Sequence, residues 1–372
     1  MSMKILHVIT TINRGGAENH LKDLIDGQIK LGAEVSCAYL KGDSYWADYL
    51  RGRGCKVYHL EMKYYGQVSP ILRIRRVIKD FKPDLVHAHL APAELYTRFA
   101  LLGDAKVPLV ISRHNHNRFY SGLGAEVVEN WVVSRAKSFI GISESVKRHF
   151  STQIPSLSDH FEVVPYGIDP APIFDVSDGQ SQALREEWGI GESTVLLGTV
   201  ARLVSVKALH VLLEGFARLS AENSDLDIKL VLVGAGPLEA DLKQCAAKLN
   251  LGNAVVWAGF REDIAIVMNA IDVFVLTSLS EGFGLVLLEA MSASKPVIST
   301  NVSALPEIVL EGKTGLMVAP EDSVALARVM KLMVDDTSLR EKMGKSGYER
   351  VISDFQLGVM CRKTMAVYEH VL

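Results

Sequence analysis

The 372-residue sequence has few of the features that mark secreted, membrane or metal-bound proteins. It holds four cysteines, Cys37, Cys55, Cys245 and Cys361, widely spaced and without a C-x-x-C pair. That argues against a disulfide framework or a zinc cluster and reads as mostly buried thiols in a reducing cytoplasm. The sequence has no H-E-x-x-H motif and no Cys/His cluster, so no metal is expected. The single D-x-D, Asp225-Leu226-Asp227, lies in a polar stretch just ahead of an apolar run, at the wrong end of a strand to meet a ligand. No window approaches the roughly 18 uninterrupted apolar residues of a membrane span. The longest apolar stretch, Ile264 to Leu276, is broken by Asn269 and Asp272. A secretory leader is not expected either, because Lys4 is followed by only Ile5 to Ile9, interrupted by His7. Tandem repeats and low-complexity tracts are absent.

What remains is ordinary globular material, 48% hydrophobic and 22% charged, with a length that suits two domains of roughly 150 residues each. The net charge of -3 conceals an asymmetry: residues 1–170 carry +5 and residues 171–372 carry -8. An excess of +5 is too small to argue for nucleic acid, but it hints that the N-terminal half faces something anionic. Within that half, Pro70 to Lys79 is a basic amphipathic stretch. It suits an anionic membrane surface or a lipid-linked acceptor, and it equally suits a surface helix with a core-facing Ile/Val stripe.

Short apolar, β-branched runs alternate with helical patterns throughout. The first set is Lys4–Ile9, Glu34–Leu40, Lys56–Leu60, Leu85–Ala88, Leu109–Ser112, Ser138–Ile142 and Phe161–Val164. A second set restarts at Val195–Val200 and continues with Lys229–Val233, Ala254–Ala258, Val273–Leu276, Pro296–Ser299 and Gly315–Val318. Between them lie amphipathic stretches such as Ala17–Leu31, Pro70–Phe81, Lys207–Leu219 and Pro237–Leu249. Strand–helix alternation with near-continuous apolar strands means parallel sheets covered on both faces. The stretch 165–193, rich in Pro, Gly, Asp and Ser, carries no long apolar period, and the linker is placed near Pro165–Pro172. The fold class is therefore α/β, two doubly wound domains, with a ligand cleft expected between them at the carboxyl ends of the strands.

Ligand groups are then to be sought just after strands. Ser280 to Glu289 follows the strand ending near Leu276. Gly282 and Gly284 permit a tight turn, and the apolar run that follows reads as a helix starting near Gly284. The opening N–H groups of such a helix suit phosphate oxygens. Glu281 ahead of the helix and Glu289 about one turn inside it flank that site; a carboxylate can clamp a vicinal diol, and an acidic first turn is the plainer alternative. Arg202 and Lys207 leave the first strand of the second set. A guanidinium fork and an ammonium suit a pyrophosphate, although two cations on a loop are also what a solvated turn carries. Asn13-Arg14-Gly15-Gly16-Ala17-Glu18 follows the first strand and can pack against a diphosphate or simply turn into a helix. Arg113-His114-Asn115-His116 follows the strand at Leu109–Ser112, so His114 is expected to point at the ligand, where it can donate to a sugar hydroxyl or handle a proton. His87 and His89 are expected to alternate in facing, and packing is favoured for both.

Taken in order, Gly15-Gly16-Ala17-Glu18, His114, Val164 to Asp169, Arg202 with Lys207, Val233 to Pro237, Glu281 to Glu289, Pro296-Val297-Ile298 and Gly312 to Leu316 resemble the family-4 retaining glycosyltransferases over nearly the whole chain. The resemblance implies two facing Rossmann-like domains with a last helix crossing back to the first. Residues 1–168 with 355–372 would form the acceptor-side domain, and residues 169–354 the one that binds a nucleotide-sugar donor. It implies that Arg202 and Lys207 meet the pyrophosphate, Glu281 the donor sugar near the reacting carbon, and Glu289 the ribose. It also implies that Gly15 and Gly16 form a phosphate loop and that His114 contacts the donor sugar. Phe283, Gly284, Leu285 and Val286 match backbone donors to phosphate or sugar, and Gly259, Phe260 and Arg261 match the loop beside the base. Two positions depart from the family: Ala208 follows the lysine where Gly is common, and Tyr166 stands where Asn is frequent.

The activity so implied is metal-independent, retaining transfer of a hexose-type sugar from a UDP- or GDP-sugar to a glycan or glycolipid hydroxyl. The setting would be bacterial surface-polysaccharide or glycoconjugate synthesis, in the cytoplasm or at the inner face of the membrane. The donor is a substrate and no cofactor is expected. A nucleotide-sugar epimerase of the same architecture, or a non-catalytic sugar-nucleotide-binding relative, is the alternative; the latter would be expected to have lost Arg202, Lys207 or Glu281, and the sequence keeps all three.

Overall fold

The structure, a computed structural model, describes residues 2–104, 106–116, 124–155 and 160–372. The chain divides into two compact units, Met1–Gly167 with Leu357–Leu372, and Ile168–Gln356. Each is a parallel sheet with helices on its faces.

The first unit has strands β1 (Lys4–Ile9), β2 (Glu34–Tyr39), β3 (Lys56–His59), β4 (Leu85–His89), β5 (Leu109–Arg113), β6 (Ala136–Gly141) and β7 (Phe161–Val163), in the spatial order β3-β2-β1-β4-β5-β6-β7. The second has β8 (Val195–Val200), β9 (Ile228–Val233), β10 (Val255–Gly259), β11 (Val273–Leu276), β12 (Val297–Thr300) and β13 (Gly315–Val318), in the order β10-β9-β8-β11-β12-β13. Every apolar run read from the sequence forms a strand, with ends moved by two residues at most. The reason is burial on both faces: β4, β5, β11 and β12 are buried along their whole length, β11 is wholly apolar, and the other three open on apolar residues and place their polar ones toward the carboxyl end.

Both sheets reverse their winding once, between β1 and β4 and between β8 and β11. At such a switch point the two flanking connections run to opposite faces and leave a crevice at the carboxyl ends of the strands. The loops after β1, β4, β8 and β11 are therefore where a ligand finds open backbone.

Helix ends follow local chemistry. The Asp322 carboxylate accepts from the Ala325 N–H at 2.8 Å to open Ser323–Asp335, and Asp336 accepts from Leu339 at 2.9 Å to open Thr337–Asp354. The stretch without apolar period also holds a helix, Asp178–Glu187. A Ser177/Gln180 capping box starts it and Leu184 is its one buried residue, so there was no apolar face to read.

The C-terminal helix Leu357–Val371 belongs to the first unit and lies against Gly16–Lys30. The crossing is close because Gly27 has no side chain: a Cβ there would stand 2.2 Å from Cys361 Sγ. Cys37, Cys55 and Cys361 are buried thiols and Cys245 is partly buried. Among the described residues no helix is long and apolar enough to cross a membrane.

Candidate functional site

In the second unit the site is built from backbone outward. Past the end of β8, Ala201 N–H donates to Val233 O at 3.0 Å and Leu203 N–H to Ala235 O at 3.0 Å, while Leu203 O accepts from Leu238 at 3.1 Å. The loop after β9 lies directly on this segment. A Cβ at Gly234 (φ +139°) would sit 1.9 Å from Ala201 O, and one at Gly236 would sit 2.4 Å from Leu203 O. Gly234 N–H in turn donates to Gly259 O at 2.7 Å, which ties in the end of β10. On the other side of β8, Thr277 Oγ1 donates to Lys207 O at 3.0 Å and Leu279 N–H to Val206 O at 2.8 Å. Thr300 Oγ1 donates to Ser278 O at 2.6 Å, adding β12. The carboxyl ends of five neighbouring strands are thus stitched into one rim.

Arg202 and Lys207 lie on this rim at the β8/β11 switch point. Arg202 is exposed; its carbonyl accepts from Val204 N–H at 2.9 Å, and its guanidinium has no hydrogen-bond or ion-pair partner among the described residues. Lys207 closes a short helical turn, Ser205–Lys207, and Ala208 holds a left-handed φ of +45° before the helix Leu209–Glu222 begins. Lys207 Nζ is paired with Glu281 Oε1, both side chains about 15% exposed (16% and 14%). Ser278 Oγ donates to the same carboxylate oxygen at 2.8 Å. The lysine and the glutamate expected to act together are therefore in contact.

Glu281 leads into Gly284, whose φ of +105° requires glycine, and the helix Leu285–Ser292 starts at the next residue. The N–H groups of Leu285 and Val286 have no acceptor inside the helix, while that of Leu287 donates to Gly284 O at 2.9 Å. Phe283 contributes its ring to the core, edge-on to Phe355 at 5.9 Å, which takes that ring away from a ligand. Glu289 is partly exposed one turn into the helix, and its carboxylate has no polar partner among the described residues. Loss of water around its carboxylate pushes its pKa up to about 7. At the end of β10, Gly259 has φ +66° and Phe260 is exposed, but Arg261 is engaged. Its fork takes both Asp263 oxygens at 2.8 and 2.7 Å and reaches Glu187 at 2.8 Å. Asp225–Asp227 lies at the opposite end of the sheet, where Asp227 accepts from Thr194 Oγ1 at 2.9 Å.

The other expected residues are in the first unit. Gly15 and Gly16 open the helix Gly16–Lys30, with clear space above Gly16; the Glu18 carboxylate leans over Gly15 and accepts from Thr11 Oγ1 at 2.6 Å. His114 is buried, with Nε2 3.1 Å from His89 Nδ1 and Nδ1 2.6 Å from the Tyr166 hydroxyl. Burial pulls its pKa down to about 3. Both ring nitrogens are thus engaged, and the ring stays neutral across the physiological range, which leaves no free nitrogen for a proton-handling role. The expectation that His87 and His89 face opposite ways is corrected: residues two apart in a strand share a face, and their ring centroids are 4.0 Å apart. Both are buried, as packing required.

Sequence reasoning missed Ser278 and Thr277 and saw Gly234 and Gly236 only as part of a resemblance. The available signal was a glycine pair directly after a strand that neighbours the cation-bearing one.

Residues 14–172 match the family described as Glycosyltransferase Family 4, and residues 180–350 match Glycosyl transferases group 1. The chain belongs to the glycosyltransferases of the family-4 type. This glycosyltransferase is 31% identical over 189 residues to the N-acetyl-alpha-D-glucosaminyl L-malate synthase of Bacillus anthracis, 51% of this chain and 49% of that protein. It is 29% identical over 310 residues to a glycogen synthase of Mycobacterium tuberculosis, 80% of this chain and 72% of that protein. The match thus spans about half the length of the first relative and nearly three quarters of the second. Among solved structures, a glycosyltransferase from Rickettsia africae has a TM-score of 0.87 at 20% identity, covering 100% of this chain and 98% of its own. Anabaena HepE in complex with UDP and glucose has a TM-score of 0.85 at 23% identity, covering 99% of each chain. These two likenesses establish the fold.

The rim makes a checkable demand. Gly236→Ala puts a methyl group against Leu203 backbone and should cost about 1–3 kcal/mol in a denaturant melt. Gly179→Ala, in open space within a helix, should instead gain about 0.5–1 kcal/mol.

Proposed function

We propose that the protein is a retaining, metal-independent hexosyltransferase. It takes a sugar from a nucleotide-sugar donor, a UDP- or GDP-sugar, to a hydroxyl of a glycan or lipid-linked glycan in bacterial surface-polysaccharide or glycoconjugate synthesis. The observation that carries this reading is the gathering of Arg202, Lys207, Glu281 and a helix N-terminus at the β8/β11 switch point. Anabaena HepE, which shares the fold, has been solved with UDP and with UDP-glucose, which supports a nucleotide-sugar ligand.

The chemistry follows from charge. Breaking the bond between the anomeric carbon and the diphosphate oxygen leaves negative charge on the diphosphate. Arg202, Lys207 and the N–H groups opening Leu285–Ser292 are the groups that would meet it. Lys207 has three N–H donors, so it can keep Glu281 in place with one and serve phosphate oxygens with the others. Glu281, held by Lys207 and Ser278, offers its second oxygen to a sugar hydroxyl. The acceptor oxygen attacks the same face, and its proton passes to the departing phosphate oxygen, so bonds and protons balance without a protein nucleophile. Glu289 would take the ribose diol. Gly15, Gly16 and His114 keep in this proposal the donor-contact roles implied by family resemblance, with His114 acting without proton transfer.

Arg202→Ala, Lys207→Ala and Glu281→Ala should each lower transfer by about 100-fold or more, with circular dichroism unchanged. The assay is product formation from a panel of UDP-, GDP- and ADP-sugars with a hydroxyl acceptor, run in the presence of EDTA. Full activity in all three variants, or consumption of donor without an acceptor, would overturn the assignment.

Glu289 gives a pH test. With a carboxyl pKa near 7 rather than the usual 4.5, it is protonated at pH 6 and loses acceptor capacity for a diol. Donor affinity should therefore weaken as pH falls from 8 to 6, and Glu289→Gln should flatten that slope in calorimetric titrations. The free protein should change the other way, losing stability as pH rises from about 4.5 to about 7, because the folded state keeps a proton that the unfolded chain has released.

A cytoplasmic location, at the inner face of the membrane, belongs to the same proposal. The helix Ser69–Phe81 buries Pro70, Ile74, Val77, Ile78 and Phe81, which accounts for its apolar stripe. Arg73 is taken by Glu61 at 2.6 Å, and Arg75 by the carbonyls of Ala100, Phe99 and Leu102. Leu72, Arg76 and Lys79 remain on the exposed face, beside Val68 and close in sequence to exposed Tyr64 and Tyr65. Sedimentation with anionic vesicles at low salt should recover the protein, and Arg76→Ala with Lys79→Ala should reduce the bound fraction; no binding at low salt would remove the membrane from the proposal.

A further inference from the structure

The first unit buries a polar system of which the proposed transfer uses only the outermost member, His114. His7 on β1, His87 and His89 on β4, and His114 after β5 are each no more than 8% exposed. They join with Gln28 of the helix Gly16–Lys30 and Tyr368 of the helix Leu357–Val371, both fully buried. Burial drives all four imidazoles toward the neutral form, His7 to about 4 and His114 to about 3. A neutral imidazole has one N–H and one bare nitrogen, so each hydrogen bond constrains the next.

The constraint starts at Gln28. Its Oε1 accepts and lies 2.8 Å from His7 Nε2, so His7 carries its proton on Nε2. His7 Nδ1 is then bare and must accept from His89 Nε2 at 2.9 Å. His89 Nδ1, bare in turn, accepts from His114 Nε2 at 3.1 Å, and His114 Nδ1 accepts from the Tyr166 hydroxyl at 2.6 Å. The other end of the Gln28 amide starts a second branch. Gln28 Nε2 donates to Tyr368 OH at 3.2 Å, that hydroxyl donates to His87 Nδ1 at 2.6 Å, and His87 Nε2–H donates to Ser112 Oγ at 2.7 Å. Turning the amide over would reverse every bond in both branches together.

We propose that Gln28 is a positioning residue whose amide imposes one tautomer, Nε2–H, on His7, His87, His89 and His114. The consequence at the ligand end is specific. His114 commits its only proton inward and keeps a lone pair on Nδ1. A polar group that displaces Tyr166 there must donate, so a hydroxyl would give a hydrogen bond to His114 rather than receive one.

A metal ion is the rival occupant, since one nitrogen each of His7, His87 and His89 lie within 4.8 Å of one another. Both nitrogens of each of these rings are already hydrogen-bonded, so an ion would have to break a bond made by every ring it took.

Long-range 1H–15N spectra of protein carrying 15N-histidine, assigned by single histidine substitutions, read the tautomers directly. They need neither donor nor acceptor, so the result is independent of the transfer reaction. All four rings should show a protonated Nε2 and a bare Nδ1 from pH 6 to pH 8. Gln28→Leu should mix tautomers at His7, His89 and His114, whereas Tyr166→Phe should leave all four unchanged. Differing tautomers within the wild-type set, an imidazolium signal at any of the four, a change of tautomer in Tyr166→Phe, or retention of one equivalent of added Zn2+ by these rings would overturn the proposal. The wild-type and Tyr166→Phe spectra decide it even if Gln28→Leu fails to fold.

Discussion

The second unit depends on backbone meeting backbone where β8 and β9 end. Gly234 and Gly236 bring one loop so close to Ala201 and Leu203 that a single methyl group would overlap main-chain atoms. That contact, with its hydrogen bonds to Val233 and Ala235, sets where the Arg202–Lys207 segment leaves the sheet. A side chain as long as lysine can be placed well only if its own backbone is immobile, and here Thr277 and Leu279 pin the other side of the same segment. The rim therefore positions charge through rigid main chain, which requires little reorganisation when a ligand arrives.

Pairing Lys207 with Glu281 solves a second problem. Two charges taken largely out of water each lose hydration, and neither would be tolerated there alone. Contact with the other, plus the Ser278 hydroxyl, holds both side chains in place without a ligand. Arg202 needs no such partner because it stays in water, and a guanidinium is only weakly hydrated to begin with.

The strands were legible because parallel strands buried on both faces leave uninterrupted apolar runs, and the loops because glycine and cations stand directly after them. What could not be read depends on contacts remote in sequence or on an easily misjudged local rule. Asp178–Glu187 is a helix held by its cap rather than by an apolar stripe. Arg261 looked available, yet Asp263 two residues on takes its fork. The buried rings beside His114 come from two strands, β1 and β4, and the polar groups that orient them come from Gln28 and Tyr368, 340 residues apart, so no local pattern reports them. His87 and His89 were a failure of periodicity, not of distance: a spacing of two is one face.

The two departures from the family pattern can now be weighed. Ala208 holds a left-handed conformation that costs an L-residue roughly 1–2 kcal/mol. Its methyl group is buried in the core of the second unit, which returns about 0.8 kcal/mol. The two terms oppose, so alanine is tolerated without moving Lys207, whose carbonyl stays on Thr277. Tyr166 is different in kind. Its ring stacks on His20 at 4.2 Å while its hydroxyl reaches His114 at 2.6 Å, so one side chain fills the space between the opening helix and the histidine chain. An asparagine is too short to do both. The substitution that looked like a small deviation in a loop is the group that satisfies the outer end of the buried network, and it ties the chemistry at His114 to a position that the family pattern would leave to a different side chain.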